Sequence, residues 1–187
     1  MLKILIHALL ACCLIPSALA EQPAPSAVPD WFTKDVLFHA RDGGVWQADN
    51  SAYQSEQEPY DAYVLHWQAG PGNFSMTGRM WGLVDGKPTS QDFWSFYQFW
   101  NPETQEAIVQ QSGWGAVGIG RLRLQRHAEQ MQTIMRHRFV DHAGNSNEML
   151  HKLTGVDDDR YRTEAFDVKD GGKQVANRVY LWERRPK

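Results

Sequence analysis

The feature that most constrains the fold is a series of short extended segments separated by tight turns, densest in aromatic residues from Tyr60 to Arg126. Alternate side chains of a β-strand point to opposite faces of the sheet. In the segment Asp92–Trp100, with the sequence DFWSFYQFW, aromatic rings occupy both odd and even positions, so both faces are apolar. Such a strand suits a closed barrel with a packed outer wall and a ligand-sized interior better than a sheet with one solvated face.

The rest of the chain contains further segments of the same kind, and turn-forming Gly, Asn, Asp and Pro residues separate them. The predicted strands are Gly44–Ser51, Tyr60–Ala69, Asn73–Val84, Asp92–Trp100, Glu106–Ser112, Ala116–Arg126, Gln130–Val140, Glu148–Thr154, Tyr161–Val168 and Gln174–Arg184. Their hairpin-length connections predict an all-β fold, an antiparallel up-and-down β-barrel of about nine or ten strands. A two-sheet sandwich is the alternative architecture.

The N-terminal residues predict export from the cytoplasm. Residues 1–20 combine one early positive charge with a short apolar run and end in Ala18-Leu19-Ala20, which is typical of a signal peptide and its cleavage site. Residues 21–29 predict a flexible leader, and residues 30–187 a single barrel domain. We therefore expect a secreted or periplasmic protein; a lipoprotein acylated at Cys12 is the lesser alternative. Both cysteines precede the cleavage site, which excludes disulfides and thiolate chemistry from the mature chain.

The segment Asp30–Ala40 predicts a short helix with Asp30 as its N-cap, whose apolar residues form a plug at one end of the barrel. The formal net charge of −3 and the lack of a basic block argue against a nucleic-acid partner. Beyond the signal peptide no second long apolar segment occurs, so we do not expect the mature chain to span a membrane.

The opening Gly44-Val45-Trp46, followed by an up-and-down series of strands, resembles the lipocalin-like (calycin) barrels of the bacterial secreted type. In that family the indole of the Gly-x-Trp motif closes one end of the barrel, and a late Arg stacks on it with an energy on the order of 1 kcal/mol. The resemblance implies that Gly44 and Trp46 form this closure with Arg178, or alternatively with Arg184. The closing helix and the mid-chain Asp-containing loop of typical lipocalins are not recognisable.

The aromatic residues of the early strands predict a binding cavity for a small hydrophobic or amphipathic molecule, since such cavities are mostly apolar with a few polar anchors. The candidate ligand-binding residues are Tyr63, His66, Trp67, Arg79, Trp81, Tyr97, Gln98 and Phe99. Of these, Gln98, His66 and Arg79 are the candidate anchors for the polar end of the ligand. The alternative is that the same rings fill the interior of a structural or protein-interaction barrel.

A barrel enzyme of the isomerase or cyclase kind is a third hypothesis, although the sequence contains no catalytic motif such as Gly-x-Ser-x-Gly. A hairpin closed by Asp141–Asn145 would bring His137 and His151 together, but no third metal ligand is evident, and we expect no metal or cofactor. The glycines between positions 113 and 120 join two strands, so close packing explains them better than a phosphate-binding loop does.

Overall fold

The computed structural model describes residues 27–89, 91–127 and 130–186. The predicted signal peptide, Cys12 and most of the predicted leader lie outside the described residues. An α-helix, α1 (Asp30–Ala40), precedes the strands. The strands are β1 (Val45–Asp49), β2 (Ala62–Ala69), β3 (Ser75–Val84), β4 (Lys87–Pro88), β5 (Trp94–Asn101), β6 (Glu106–Gly113), β7 (Ala116–His127), β8 (Gln130–Asp141), β9 (Ser146–Asp157), β10 (Arg160–Val168) and β11 (Gln174–Arg184).

Ten of these strands form a closed antiparallel barrel. Each is hydrogen-bonded to the next one along the chain, and β1 also pairs with β11, while the two-residue β4 is an addition to β3. The predicted up-and-down barrel is therefore confirmed, and each predicted strand matches an observed one within three residues at either end. Closure satisfies the backbone groups that an open sheet would leave unpaired at its edges.

Helix α1 closes the end of the barrel where β1 begins, as the predicted apolar plug. Phe32 and Val36 point into the barrel from this helix and are completely buried. Asp30 is the first residue of the helix rather than its N-cap, a position that Pro29 occupies without a side-chain hydrogen bond. The Asp30 carboxylate still lies in the first turn, where its negative charge interacts favourably with the positive end of the helix dipole.

Trp46 on β1 lies beneath this helix and is completely buried, and its Nε1 donates to the backbone oxygen of His39 at 2.8 Å. The guanidinium that stacks on the indole belongs to Arg184, whose Cζ lies 4.0 Å from the ring centroid. Trp46 is the cross-strand partner of Arg184 in the β1–β11 register, which explains the contact. The assignment of this role to Arg178 was wrong, because Arg178 lies towards the opposite end of β11.

Position 44 requires glycine for two reasons. Its φ of 65° lies in the left-handed region, and a Cβ there would collide with the backbone oxygen of Trp67. The backbone oxygen of Gly44 accepts a hydrogen bond from the Trp67 amide at 2.9 Å. This glycine therefore lets the segment leaving α1 run directly against β2.

Inside the barrel, aromatic rings repeatedly lie over a glycine on the neighbouring strand. The cross-strand pairs are Trp67 with Gly78, Trp94 with Gly113, Phe139 with Gly118, and His137 with Gly120. In each pair a Cβ on the glycine would overlap the ring opposite, which confirms the expected close packing around positions 113–120. Because the rings lie against the barrel wall over these glycines, they do not fill the centre of the barrel, and a cavity remains there.

Candidate functional site

The barrel contains a cavity of about 450 Å³ that reaches from the inner side of α1 to the opposite end of the barrel. Its lining is predominantly apolar and includes four methionines. The main apolar lining residues are Leu65, Trp67, Met76, Met80, Trp94, Phe96, Val109, Leu122, Met135, Phe139, Met149, Leu153, Tyr161 and Trp182. Methionine side chains are flexible and polarizable, so such a surface adapts to ligands of different shape.

The floor of the cavity carries a carboxylate supplied by α1. Asp35 points towards the interior, and its Oδ2 accepts a hydrogen bond from Nε2 of Gln98 on β5 at 2.9 Å. One turn later, Nδ1 of His39 lies 2.9 Å from the backbone oxygen of Asp35. The His39 ring contacts Tyr161 and Trp67, with centroids 4.9 and 5.9 Å away. Burial raises the pKa of the Tyr161 hydroxyl, and the charge of Asp35 adds to this rise.

The middle of the wall contains a chain of hydrogen bonds between side chains. Trp94 Nε1 donates to Oε1 of Gln111 at 2.9 Å, which leaves the Gln111 amide nitrogen as the donor to Nε2 of His137, 3.0 Å away. The proton of neutral His137 therefore resides on Nδ1. Burial lowers the pKa of His137 to about 3, and the neighbouring His151 contributes to this shift.

His151 lines the cavity next to His137, with a distance of 5.8 Å between the two ring centroids. Burial lowers its pKa to about 4, so both imidazoles are neutral near neutral pH. Nδ1 of each ring is buried and has no hydrogen-bond partner among the described residues. No group of three or more His, Cys, Asp or Glu side chains in the described part of the chain is arranged to hold a metal ion.

The mouth of the cavity, opposite α1, carries an ion pair that fastens the β1–β2 connection to the barrel wall. Arg178 on β11 donates to both carboxylate oxygens of Glu58, at 2.5 and 2.9 Å, and this pairing raises the pKa of the guanidinium. The hydroxyl of Tyr63 also donates to Glu58, at 3.0 Å. Burial raises the pKa of Tyr63, and the Glu58 carboxylate raises it further, so this hydroxyl remains protonated.

A stack of three aromatic rings forms one side of the rim. Phe93 lies parallel to Trp114, with centroids 4.8 Å apart, and Tyr60 lies on the other side of Phe93 at 5.2 Å. Trp114 has a φ of 45° in the Trp114-Gly115 turn, and its side chain is 53% exposed. An L-residue in this left-handed conformation is disfavoured by about 1–2 kcal/mol. The stack with Phe93 compensates in part and holds an exposed indole at the mouth.

Three of the predicted ligand-binding residues line the cavity. Tyr63 and Trp67 point inward from β2, and Gln98 points inward from β5. Each is at least nine-tenths buried. Gln98, one of the proposed polar anchors, binds Asp35, so it reaches the interior through a partner that the sequence did not suggest.

The other five predicted ligand-binding residues lie on the outer wall, and placing them in the cavity was wrong. Alternation along the strands puts them on the face opposite to Tyr63, Trp67 and Gln98. A guanidinium nitrogen of Arg79 lies 3.6 Å from a carboxylate oxygen of Asp92, and the guanidinium stacks over Trp81. Trp81 itself packs on an outer apolar cluster of Ala62, Val64 and Leu83. The remaining outward residues are His66, which pairs with Arg79 across the β2–β3 ladder, and the stacked rings of Tyr97 and Phe99.

Several polar residues that line the cavity were not among the predicted ligand-binding residues, including Asp35, Glu58, His151 and Arg178. Glu58 lies in a turn-rich segment, where no periodicity indicates which way a side chain points. His151 and Arg178 lie on predicted strands, and their alternation relative to the inward residues of the neighbouring strands would have identified them once the register was known.

Within the described residues no helix has the length and hydrophobicity needed to cross a membrane. No protein-family model matches the chain. No curated protein matches it either.

Proposed function

We propose that the protein binds a small hydrophobic or amphipathic molecule non-covalently inside the barrel. The observation that carries this proposal is the cavity of about 450 Å³, which is open at one end and mostly apolar. Pockets for small molecules commonly measure about 300–1,000 Å³ and combine an apolar wall with a few polar groups. Transfer of an apolar molecule from water into such a wall contributes about 25 cal/mol for each Å² buried.

The proposal extends to the family and location of the protein. A lipocalin-like barrel is supported by the Gly44-x-Trp46 opening with Arg184 stacked on the indole, in the arrangement that this family uses to close one end. Export to the periplasm or the cell exterior is supported by the signal-like composition of residues 1–20. A carrier or scavenger of apolar molecules outside the cytoplasm is consistent with both.

The two alternatives are less well supported by the geometry. A barrel used only as a structural or protein-interaction module has no need of an empty, open interior. For an enzyme, His137 and His151 inside the barrel are the relevant groups, because their pKa values are lowered to about 3 and about 4. Imidazoles with such pKa values are weak bases at neutral pH, where an effective general base has a pKa near the working pH.

The experiment is a titration of the purified protein with N-phenyl-1-naphthylamine, a neutral apolar dye that becomes fluorescent in apolar surroundings. We expect saturable binding to a single site. Ala116 lines the cavity near the mouth, whereas the next residue, Val117, is exposed on the outer wall. Ala116→Trp should weaken dye binding roughly tenfold by filling the cavity, and Val117→Trp should leave it unchanged.

Met149→Trp provides a second obstruction deeper on β9, in case the new indole at position 116 turns out of the mouth. Binding that is unsaturable, or that weakens equally in Val117→Trp and in the two cavity variants, would place the dye on the surface and refute the proposal. Circular dichroism of each variant checks that the barrel has formed.

A further inference from the structure

The polar groups of the cavity carry an uncompensated negative charge, and this charge indicates which class of ligand the site selects. Near the mouth, Glu58 and Arg178 neutralise each other in a two-pronged ion pair. At the floor, Asp35 has no Lys or Arg partner among the described residues. The carboxylates and the guanidinium that line the cavity therefore leave one formal negative charge, which lies at its inner end.

The immediate partners of Asp35 do not neutralise it. Gln98 donates a hydrogen bond to Oδ2 but carries no charge. Nδ1 of His39 lies 3.8 Å from Oδ1, which is too far for a hydrogen bond, and the same nitrogen lies 2.9 Å from the Asp35 backbone oxygen. The Asp35 side chain is only 13% exposed, so water screens it poorly. A buried carboxylate in this situation favours a cationic partner.

Aromatic rings surround the same floor. Phe96 lies two residues from Gln98 on the inner face of β5, and its ring contacts Trp67 with centroids 5.2 Å apart. His39 joins Trp67 to Tyr161 through ring contacts on both sides. The faces of aromatic rings attract cations and disfavour anions.

We propose that the cavity selects an amphipathic cation, an ammonium or quaternary ammonium group attached to an apolar body, with the cationic head at Asp35. The head would lie between the Asp35 carboxylate and the rings of Trp67, Phe96 and Tyr161. The apolar body would occupy the methionine-rich space between the floor and the mouth. This inference rests on the proposed function and specifies its ligand class; anionic amphiphiles are disfavoured because no Lys or Arg among the described lining residues lies at the floor.

The test compares three ligands with the same alkyl chain, decyltrimethylammonium, 1-decanol and decanoate, as competitors for N-phenyl-1-naphthylamine on the full-length purified protein below their micelle concentrations. We expect decyltrimethylammonium to bind roughly tenfold more tightly than decanoate, with 1-decanol between them. Asp35→Asn should remove this preference by weakening only the cation, since the substituted side chain keeps its size and its oxygen for Gln98.

Two further variants separate a local effect from a general one. Asp30→Asn removes the same charge from the exposed start of α1 and should leave all three affinities unchanged. Phe96→Leu keeps the barrel wall apolar but removes one ring, so it should weaken decyltrimethylammonium more than 1-decanol. This variant tests the inference even if Asp35→Asn does not fold.

Three outcomes would overturn the inference. Decanoate could bind as tightly as decyltrimethylammonium, or Asp35→Asn could weaken 1-decanol as much as the cation. In both cases binding of 1-decanol would leave the proposed function intact. If neither 1-decanol nor the dye binds to the cavity, the proposed function fails together with the inference.

Discussion

At the scale of single residues, the interior contains a few buried polar groups that hydrogen-bond to other side chains. Gln111 illustrates this, because it accepts a hydrogen bond from Trp94 and lies within hydrogen-bond distance of His137. An unmet buried amide would cost about 1–3 kcal/mol, so Gln111 is fixed in one orientation. His151 differs, since its ring Nδ1 is buried without a hydrogen-bond partner among the described residues, and its main effect is on the pH dependence of stability.

His151→Phe should make the protein less sensitive to acid. The folded state keeps His151 neutral down to about pH 4, whereas the unfolded chain protonates it below about pH 6.5, so protons stabilise the unfolded state in this window. On acidification from about pH 7 to about pH 5, this difference in protonation lowers the free energy of unfolding of the wild type by about 2 kcal/mol. The His151→Phe variant should not show this part of the loss. Urea denaturation at the two pH values measures the free energy of unfolding of both proteins.

The control for this prediction is His142→Gln. His142 is exposed in the turn between β8 and β9, so its replacement should leave the acid sensitivity of the wild type in place. A His151→Phe protein that loses as much stability on acidification as the wild type would show that the buried imidazole is not the source.

Arg184→Lys should destabilise the closed end of the barrel although the charge is kept. The guanidinium donates to the backbone oxygens of Arg41 and Phe38 at 2.8 and 2.9 Å while it stacks on Trp46. A lysine ammonium cannot reproduce this planar, forked geometry. We expect the free energy of unfolding to fall by about 2 kcal/mol. Arg160→Lys, at an exposed ion pair, is the matched control and should change it by less than about 0.5 kcal/mol.

The direction in which each side chain points was the part of the site that sequence could not supply. Tyr97 and Trp94 lie on one strand with similar hydrophobicity, yet Trp94 lines the cavity and Tyr97 is 43% exposed outside. Both faces of β5 are apolar because outer rings also pack on one another, as Tyr97 does with Phe99. Alternation fixes which residues share a face but does not say which face is inside.

At the scale of elements, the turn residues allowed the strands to be predicted, whereas the cavity depends on the register between neighbouring strands. Gly, Asn and Asp residues mark most of the turns between strands, so the ten barrel strands could be predicted from the sequence. The pairing of Trp67 with Gly78 and of Phe139 with Gly118 could not be predicted from the sequence, because it depends on which residues of adjacent strands are opposite each other. The helix shows the same limit, since its boundaries were predictable but the inward direction of Asp35 was not.

Gly120→Ala tests whether these glycines maintain the barrel wall. A Cβ at this position would overlap the backbone oxygen of Arg136 and lie 2.7 Å from the ring of His137, so β7 and β8 would have to move apart. We expect a loss of about 2 kcal/mol in the free energy of unfolding, measured by chemical denaturation.

Gly155→Ala is the matched control on β9, since a Cβ there meets no atom within 4 Å. It should change stability by no more than about 0.5 kcal/mol. Equal effects of the two substitutions would mean that the loss comes from glycine flexibility rather than from close packing across the β7–β8 ladder.

At the scale of the whole molecule, one end of the barrel is closed and the other is open. Helix α1, Trp46 and Arg184 fill the closed end, and the Glu58–Arg178 pair fastens the connection beside the mouth. The rings lie against the wall over glycines, so an aromatic-rich barrel still has space for a ligand. An apolar cavity of this size is well suited to holding an apolar guest.

Native mass spectrometry of the protein purified from its own host tests most directly whether the barrel binds a small molecule. We expect a species heavier than the polypeptide by the mass of one small molecule, which dissociates on denaturation, or, after the protein is emptied and incubated with N-phenyl-1-naphthylamine, a one-to-one complex. A spectrum with the polypeptide mass alone under both conditions would contradict the presence of a ligand-binding cavity.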